Sequence, residues 1–211
     1  MNLLKNKLAT GVYWGRFNPP HQGHLSVIRK FKDKCNLVVA IGSSEHKNER
    51  ANPFSGAERK EMMEAYLRES RIGGVRVVTL ADGNSESSAL DNLIRKRKPD
   101  LLILSTEKSH LADLAEQRLP VIHFPRTGKV SSTLIRDSLA AGDGRWKRLI
   151  GRSVARLVVG FDEIRRIKKV YDIPRGTKGT THSKRYRGYR LGSVRGPPRG
   201  RPCGEARTSS S

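Results

Sequence analysis

Apolar residues come along this chain in short unbroken runs, separated by longer segments with helical spacing. The runs are Val12 to Trp14, Leu37 to Ile41, Val75 to Leu80, Leu101 to Leu104 and Val121 to Phe124. Near-continuous apolar runs of this length predict strands covered on both faces. The amphipathic segments between them predict helices over about 20–33, 55–70, 86–98, 108–118 and 131–141, and over 145–170 with a break. Ser55 with Glu58 three residues on has the spacing of a capping box. Strict alternation of strand and helix implies an α/β domain, a five-stranded parallel sheet doubly wound with helices. Ligands of such sheets sit at the carboxyl ends of the strands, where the strand order reverses.

The pattern stops after Tyr171. Residues 172–211 have no apolar periodicity and carry ten Arg or Lys against Asp172 and Glu205. So polar and Gly-rich a segment cannot offset an ordering cost of roughly 1–2 kcal/mol per residue. The expected organisation is one domain over 1–171 and a disordered basic tail over 172–211. The chain's 211 residues suffice for a proper core. Its net charge of +22 points to phosphate, nucleotide or nucleic acid as partner and away from a neutral substrate. Cys35 and Cys203 are the only cysteines and form no CxxC pair, which excludes a disulfide framework and fits a reducing compartment. No apolar run approaches the roughly 20 residues that span a bilayer. The first residues, MNLLKNKLAT, lack the apolar centre of a signal peptide. The cytoplasm is the expected location.

Candidate chemistry begins behind the first strand, in GRFNPPHQGH. Gly15 starts the turn, Asn18 reads as an N-cap, and Pro19 or Pro20 suits a first helical turn. A helix start at a strand tip aims unpaired N–H groups and about +0.5 charge outward. No acid precedes Asp33 to cancel it. His21 and His24, three apart, share one face of that turn. Gly23 between them lets a ligand approach the backbone, and Arg16 stands beside the turn. No third ligand at useful spacing accompanies the histidines, so no protein-held metal is expected.

A second helix start of the same kind follows the fifth strand, in GKVSSTLIRDSL. Ser131 or Ser132 can cap it, its first turn carries Thr133 and Arg136, and Asp137 comes only afterwards. Two anion-ready helix starts behind the first and last strands predict a phosphate site. Other nucleotide motifs fail: no GxGxxG follows the first strand. FPRTGKV has His123 and Val130 where a Walker A loop needs Gly and Ser or Thr.

GRFNPPHQGH resembles the HxGH phosphate-binding motif of the nucleotidyltransferase superfamily, and SSTLIR resembles its SxTxxR signature. IGSSEH, NPFSGAERKEMM and WKRLIGRSVARLVVGFDEIRRIKKV are similar to archaeal-type nicotinamide-nucleotide adenylyltransferases in particular. The resemblance covers about residues 10 to 171 and implies a single Rossmann-like domain. It implies transfer of AMP from ATP to a phosphate monoester, with Mg²⁺ arriving on the triphosphate. His21, His24 and Arg136 would be catalytic, the histidines protonated beside the polyphosphate. Gly15, Arg16, Phe17, Asn18, Gly23, Ser131, Ser132 and Thr133 would bind the nucleotide. Arg50, Asp82 and Asn84 would touch the acceptor. The archaeal enzymes carry a Trp after that Asp and Asn, stacked on nicotinamide. Here no aromatic lies between Tyr66 and Phe124, and Trp14 and Trp146 read as packing residues. Nicotinamide mononucleotide is the first choice of acceptor. Flavin mononucleotide, phosphopantetheine, or a polyol or sugar phosphate with CTP stay open. The RGYR and RGPPRGR stretches of the tail resemble RG-rich RNA-binding segments, with Tyr186 and Tyr189 able to stack on bases. The other reading is therefore a nucleic-acid-binding module on a degenerate fold. A homo-oligomer is left open.

Overall fold

The computed structural model describes residues 8–105, 110–125, 130–161 and 163–171. The expected tail and residues 126–129 of FPRTGKV lie outside the described residues. In chain order come β1 (Thr10–Gly15), α1 (Gln22–Phe31), β2 (Asn36–Ile41), α2 (Gly56–Glu69), β3 (Arg76–Thr79) and α3 (Glu86–Arg97). Then follow β4 (Leu101–Leu104), α4 (His110–Glu116), β5 (Val121–His123), α5 (Ser132–Ala141), a 3₁₀ turn (Gly144–Arg148), α6 (Arg152–Gly160) and α7 (Glu163–Val170). The strands form one parallel sheet in the order β3-β2-β1-β4-β5. The chain builds outward from β1 to β3, then returns to place β4 on β1's other side. The order therefore reverses between β1 and β4, and the crevice at their carboxyl ends is the natural ligand site.

Period-two alternation divides the strands between two cores. Tyr13, Val39, Ile41 and Ile103 pack with residues of α1, α2, α5, α6 and α7. Val12, Trp14, Val38, Ala40, Leu102 and Leu104 pack with residues of α3 and α4. Cover on both faces is what makes the runs read as unbroken. Edge strands β3 and β5 are shorter than their apolar runs, although the N–H groups of Leu80 and Phe124 just beyond them still donate to the carbonyls of Ile41 and Leu104. The β4–β5 ladder closes at Leu104–His123.

The expected capping box is formed: Ser55 Oγ accepts the Glu58 N–H at 3.2 Å and Glu58 Oε2 accepts the Ser55 N–H at 2.8 Å. The break in the last helical segment has a packing cause. Gly151, the N-cap of α6, lies so close to α2 that a Cβ there would sit 2.4 Å from the Tyr66 ring. Glu69 of α2 supplies the missing cap, accepting the N–H groups of Arg152 at 3.0 Å and Ser153 at 2.9 Å. Helix α7 closes the described fold. Ile167 is fully buried, Arg166 donates to Glu58 Oε1 at 2.7 Å, and the Arg50 guanidinium lies 4.8 Å from the Tyr171 ring centroid. Among the described residues no helix is long and apolar enough to cross a membrane.

A chain ending after Tyr171 is expected to keep the melting temperature and turnover of the full chain. One ending after Gly160 loses Ile167, whose burial contributes roughly 1.5–3 kcal/mol, together with the Arg166 and Tyr171 contacts. Its thermal unfolding midpoint should fall clearly. Loss of turnover in the longer of the two would place part of the site beyond residue 171.

Candidate active site

The first strand delivers its chain directly to the crevice. After Gly15 the backbone turns at Phe17, whose φ of 49° lies in the left-handed region that non-glycine residues avoid. The side chain anchors it there. Phe17 is almost fully buried, with its ring edge-on to Tyr13 at 5.1 Å and to His24 at 4.8 Å.

The helix then starts later than the sequence suggests. Asn18 is not the N-cap and neither proline is in the first turn; His21 is the N-cap and Gln22 the first helical residue. A residue before proline is pushed out of the α region, so the Pro19–Pro20 pair delays the helix. His21 Nδ1 accepts the N–H of Gly23, and His24 Nδ1 accepts the N–H of His21, both at 3.1 Å. The two rings stack with centroids 3.8 Å apart. With each Nδ1 occupied as an acceptor, a ring carries its proton on Nε2. Each ring is thereby left with an Nε2–H to donate.

The second helix start is bolted to the first. Ser131 caps α5, accepting the Leu134 N–H at 3.1 Å, and the first turn contains no acid. Ser132 Oγ donates to the Pro19 carbonyl at 2.9 Å. Arg136 Nη1 donates to the Asn18 carbonyl at 2.8 Å and Nη2 to Thr133 Oγ1 at 3.2 Å. Arg136 is 8% exposed, and its buried Nε has no partner among the described residues. Asn18 itself is buried, its Nδ2 3.4 Å from Asn52 Oδ1. Residues more than a hundred positions apart thus form one positively charged wall.

This wall is one side of a cleft of about 510 Å³. Every residue singled out from the sequence lines it except Arg50 and Asn84. Arg50 stacks on Tyr171 instead, and Asn84 is exposed in the turn before α3. The opposite end is apolar, formed by Trp14, Ala89, Leu104 and Leu111. Trp14 serves both as core and as cleft lining. Its indole leaves no room at Gly42, where a Cβ would lie 2.5 Å from Nε1. Asp82 stands at the rim, accepting the Ser43 N–H at 2.7 Å and the Ser43 hydroxyl at 2.5 Å.

A profile of the cytidylyltransferase-like family matches residues 12–138, from β1 through both helix starts into α5. The chain belongs to that family. Cytidylyltransferase-like relatives include a nicotinamide-nucleotide adenylyltransferase of Pyrobaculum neutrophilum, 33% identical over 167 residues, which cover 76% of this chain and 93% of the relative. Another, of Caldivirga maquilingensis, is 29% identical over 171 residues, covering 77% and 93%. A solved bifunctional NMN adenylyltransferase/ADP ribose pyrophosphatase of Francisella tularensis, complexed with AMP and manganese, has a TM-score of 0.62 at 20% identity. The match covers 78% of this chain and 52% of that one, so this chain spans about half its length, and the likeness is one of fold. As a cytidylyltransferase-like protein this chain is a nucleotidyltransferase.

The cleft is also lined by Trp14, which the sequence suggested as packing, and by residues that the sequence did not single out. Trp14, Gly42, Ser43, Leu104 and Leu111 line it from strand ends and the start of α4. The IGSS run after β2 was the only signal for two of them. Arg59 was missed altogether, since nothing in its spacing separates a buried helical arginine from a solvated one. At the rim, Glu45, His46 and Asp82 bring one donor atom each within 4.8 Å of the others. Their groups are already engaged: Glu45 Oε1 accepts the Asp82 N–H at 2.9 Å, and His46 Nδ1 lies 3.0 Å from Glu49 Oε1.

Proposed function

We propose that this nucleotidyltransferase transfers the AMP group of ATP to nicotinamide mononucleotide, forming NAD and pyrophosphate. The observation that carries the reading is the bolted pair of helix starts, with two imidazole donors and Arg136 facing one cleft. The relatives' activity supplies the acceptor. An oxygen of the acceptor phosphate forms a bond to the α-phosphorus. The bond from that phosphorus to its bridging oxygen breaks, and the electron pair leaves with pyrophosphate. The nucleophile is already ionised, so the protein needs no strong base, only alignment and charge neutralisation. The Nε2–H groups of His21 and His24 donate to the phosphoryl oxygens, where charge is redistributed in the transition state. Arg136 and the Ser131–Thr133 turn hold the departing phosphates, and exposed Arg16 approaches them from the β1 side.

Mg²⁺ fits this cleft as a companion of ATP. The only carboxylate among its described lining residues is Asp82, whose two oxygens are both engaged by Ser43. Mg²⁺ arriving on the triphosphate would supply charge neutralisation there, with no carboxylate among the described lining residues left free to hold it. The apolar end suits the planar ring of the acceptor. With no aromatic between Tyr66 and Phe124, Trp14 is the indole among the described lining residues of this cleft.

Purified protein with ATP, Mg²⁺ and nicotinamide mononucleotide should release pyrophosphate and form NAD, read by reduction of the product with a dehydrogenase. CTP in place of ATP, or flavin mononucleotide and phosphopantetheine as acceptors, should give little. Pyrophosphate release with one of these but not with nicotinamide mononucleotide overturns the acceptor assignment.

A further inference from the structure

Arg59, in the second turn of α2, is 0% exposed. Gly56 lets the start of that helix pack directly on Ser44, where a Cβ would lie 2.6 Å from its carbonyl oxygen. The close approach carries the Arg59 side chain under the crevice. Nη1 donates to the carbonyls of Arg16 at 2.9 Å and Gly42 at 2.8 Å, Nη2 to that of Ser43 at 2.7 Å, and Nε to that of Ser55 at 3.2 Å. No carboxylate accepts from it among the described residues. Burial pulls its pKa down to about 10, against the opposing pull of Asp82, so the group stays charged at neutral pH.

We infer that Arg59 is a positioning residue for the triphosphate, fixing the backbone of the β1–α1 turn and of the β2 end from below. Three of the four carbonyls it holds belong to residues lining the cleft. Carbonyl oxygens facing phosphate would repel it; bonded to Arg59, they are directed away. The effect on the turn is specific. A trans peptide sets its C=O and N–H in opposite directions. Anchoring the Arg16 carbonyl therefore turns the Phe17 N–H to the other side of the chain. That N–H has no acceptor among the described residues, in a residue that lines the cleft. The positive φ of Phe17 is the conformation that this anchoring maintains. The charge acts as well, since a buried guanidinium without a carboxylate partner adds to the field that attracts a polyanion.

The inference rests on triphosphate binding in this cleft and is independent of the acceptor. Analogue binding is measured on the full chain with a non-hydrolysable ATP analogue, so a wrong acceptor would leave that measurement unchanged, while the kinetic comparison uses whichever acceptor gives turnover. Arg59→Met removes bonds and charge at similar length; Arg59→Lys keeps the charge and loses the fork. Arg59→Met is expected to weaken analogue binding and kcat/KM for ATP by about 10²-fold, with KM for the acceptor within about twofold of wild type. The thermal upshift given by the analogue should largely vanish in Arg59→Met and be partly retained in Arg59→Lys. Both are assayed well below their own melting temperatures. A folded Arg59→Met with wild-type analogue affinity overturns the inference. So does equal loss for both substrates with a lowered melting temperature, the mark of a merely structural residue. Should Arg59→Met not fold, Arg59→Lys decides alone: selective weakening for ATP supports the role, and wild-type kinetics overturn it.

Discussion

His21→Ala and His24→Ala are each expected to lower turnover about 10²–10³-fold, the usual effect of removing one transition-state donor. Each ring presents one Nε2–H donor, because its Nδ1 is taken by a backbone N–H of the same helix start. The same bonds mean that alanine also removes a cap. A lost N-cap costs about 1 kcal/mol, so the melting temperature should fall by a few degrees, roughly 2–4 °C for a domain of this size. His21→Asn separates the two effects. Asparagine is a good N-cap but places no donor where the imidazole Nε2 stood. It should recover most of the melting temperature and little of the turnover. Steady-state pyrophosphate release and thermal unfolding on the three variants read both quantities. A fully active His24→Ala protein would remove the mechanism proposed above.

Arg136→Ala is the second large effect. Its guanidinium holds the Asn18 carbonyl and Thr133 while keeping a buried Nε unspent. Alanine leaves that carbonyl without its donor, a cost of about 1–3 kcal/mol for a buried group, and removes the cation that meets the departing phosphates. The expected result is a fall of about 10²-fold in kcat/KM for ATP, with the acceptor KM little changed. Arg136→Lys restores a point charge but not a planar fork, so recovery should be partial. Indistinguishable kinetics for lysine and wild type would mean that fork geometry has no part in the site.

The sequence alone carried the alternation of strand and helix, and with it the parallel five-stranded sheet. Unbroken apolar runs such as LVVAI and LLIL have one economical explanation, burial on both faces. It also carried His21, His24, Ser131, Thr133 and Arg136, because a helix start without acids and rich in cap residues is a local feature. Local rules were enough there. They failed on the cap itself: asparagine before proline satisfies the usual N-cap preference, yet the two prolines move the helix start to His21 and turn both imidazoles into caps.

Whatever depends on contacts between distant segments was decided by the tertiary structure. The strand order, hence the β1–β4 crevice, places GRFNPPHQGH and SSTLIR side by side, and bonds from Ser132 to Pro19 and from Arg136 to Asn18 fix their spacing. Arg50 meets the ring of Tyr171, just after α7, and lies outside the cleft lining, although its neighbours in sequence suggested a ligand role. Trp14 became cleft lining because, one residue before the end of β1, it faces the α3 and α4 side of the sheet at the crevice. Arg59 could be found only in three dimensions. Helical spacing says which face a residue occupies, but burial, and three of the four carbonyls that make a buried cation tolerable, are set by chain segments that the sequence keeps far apart.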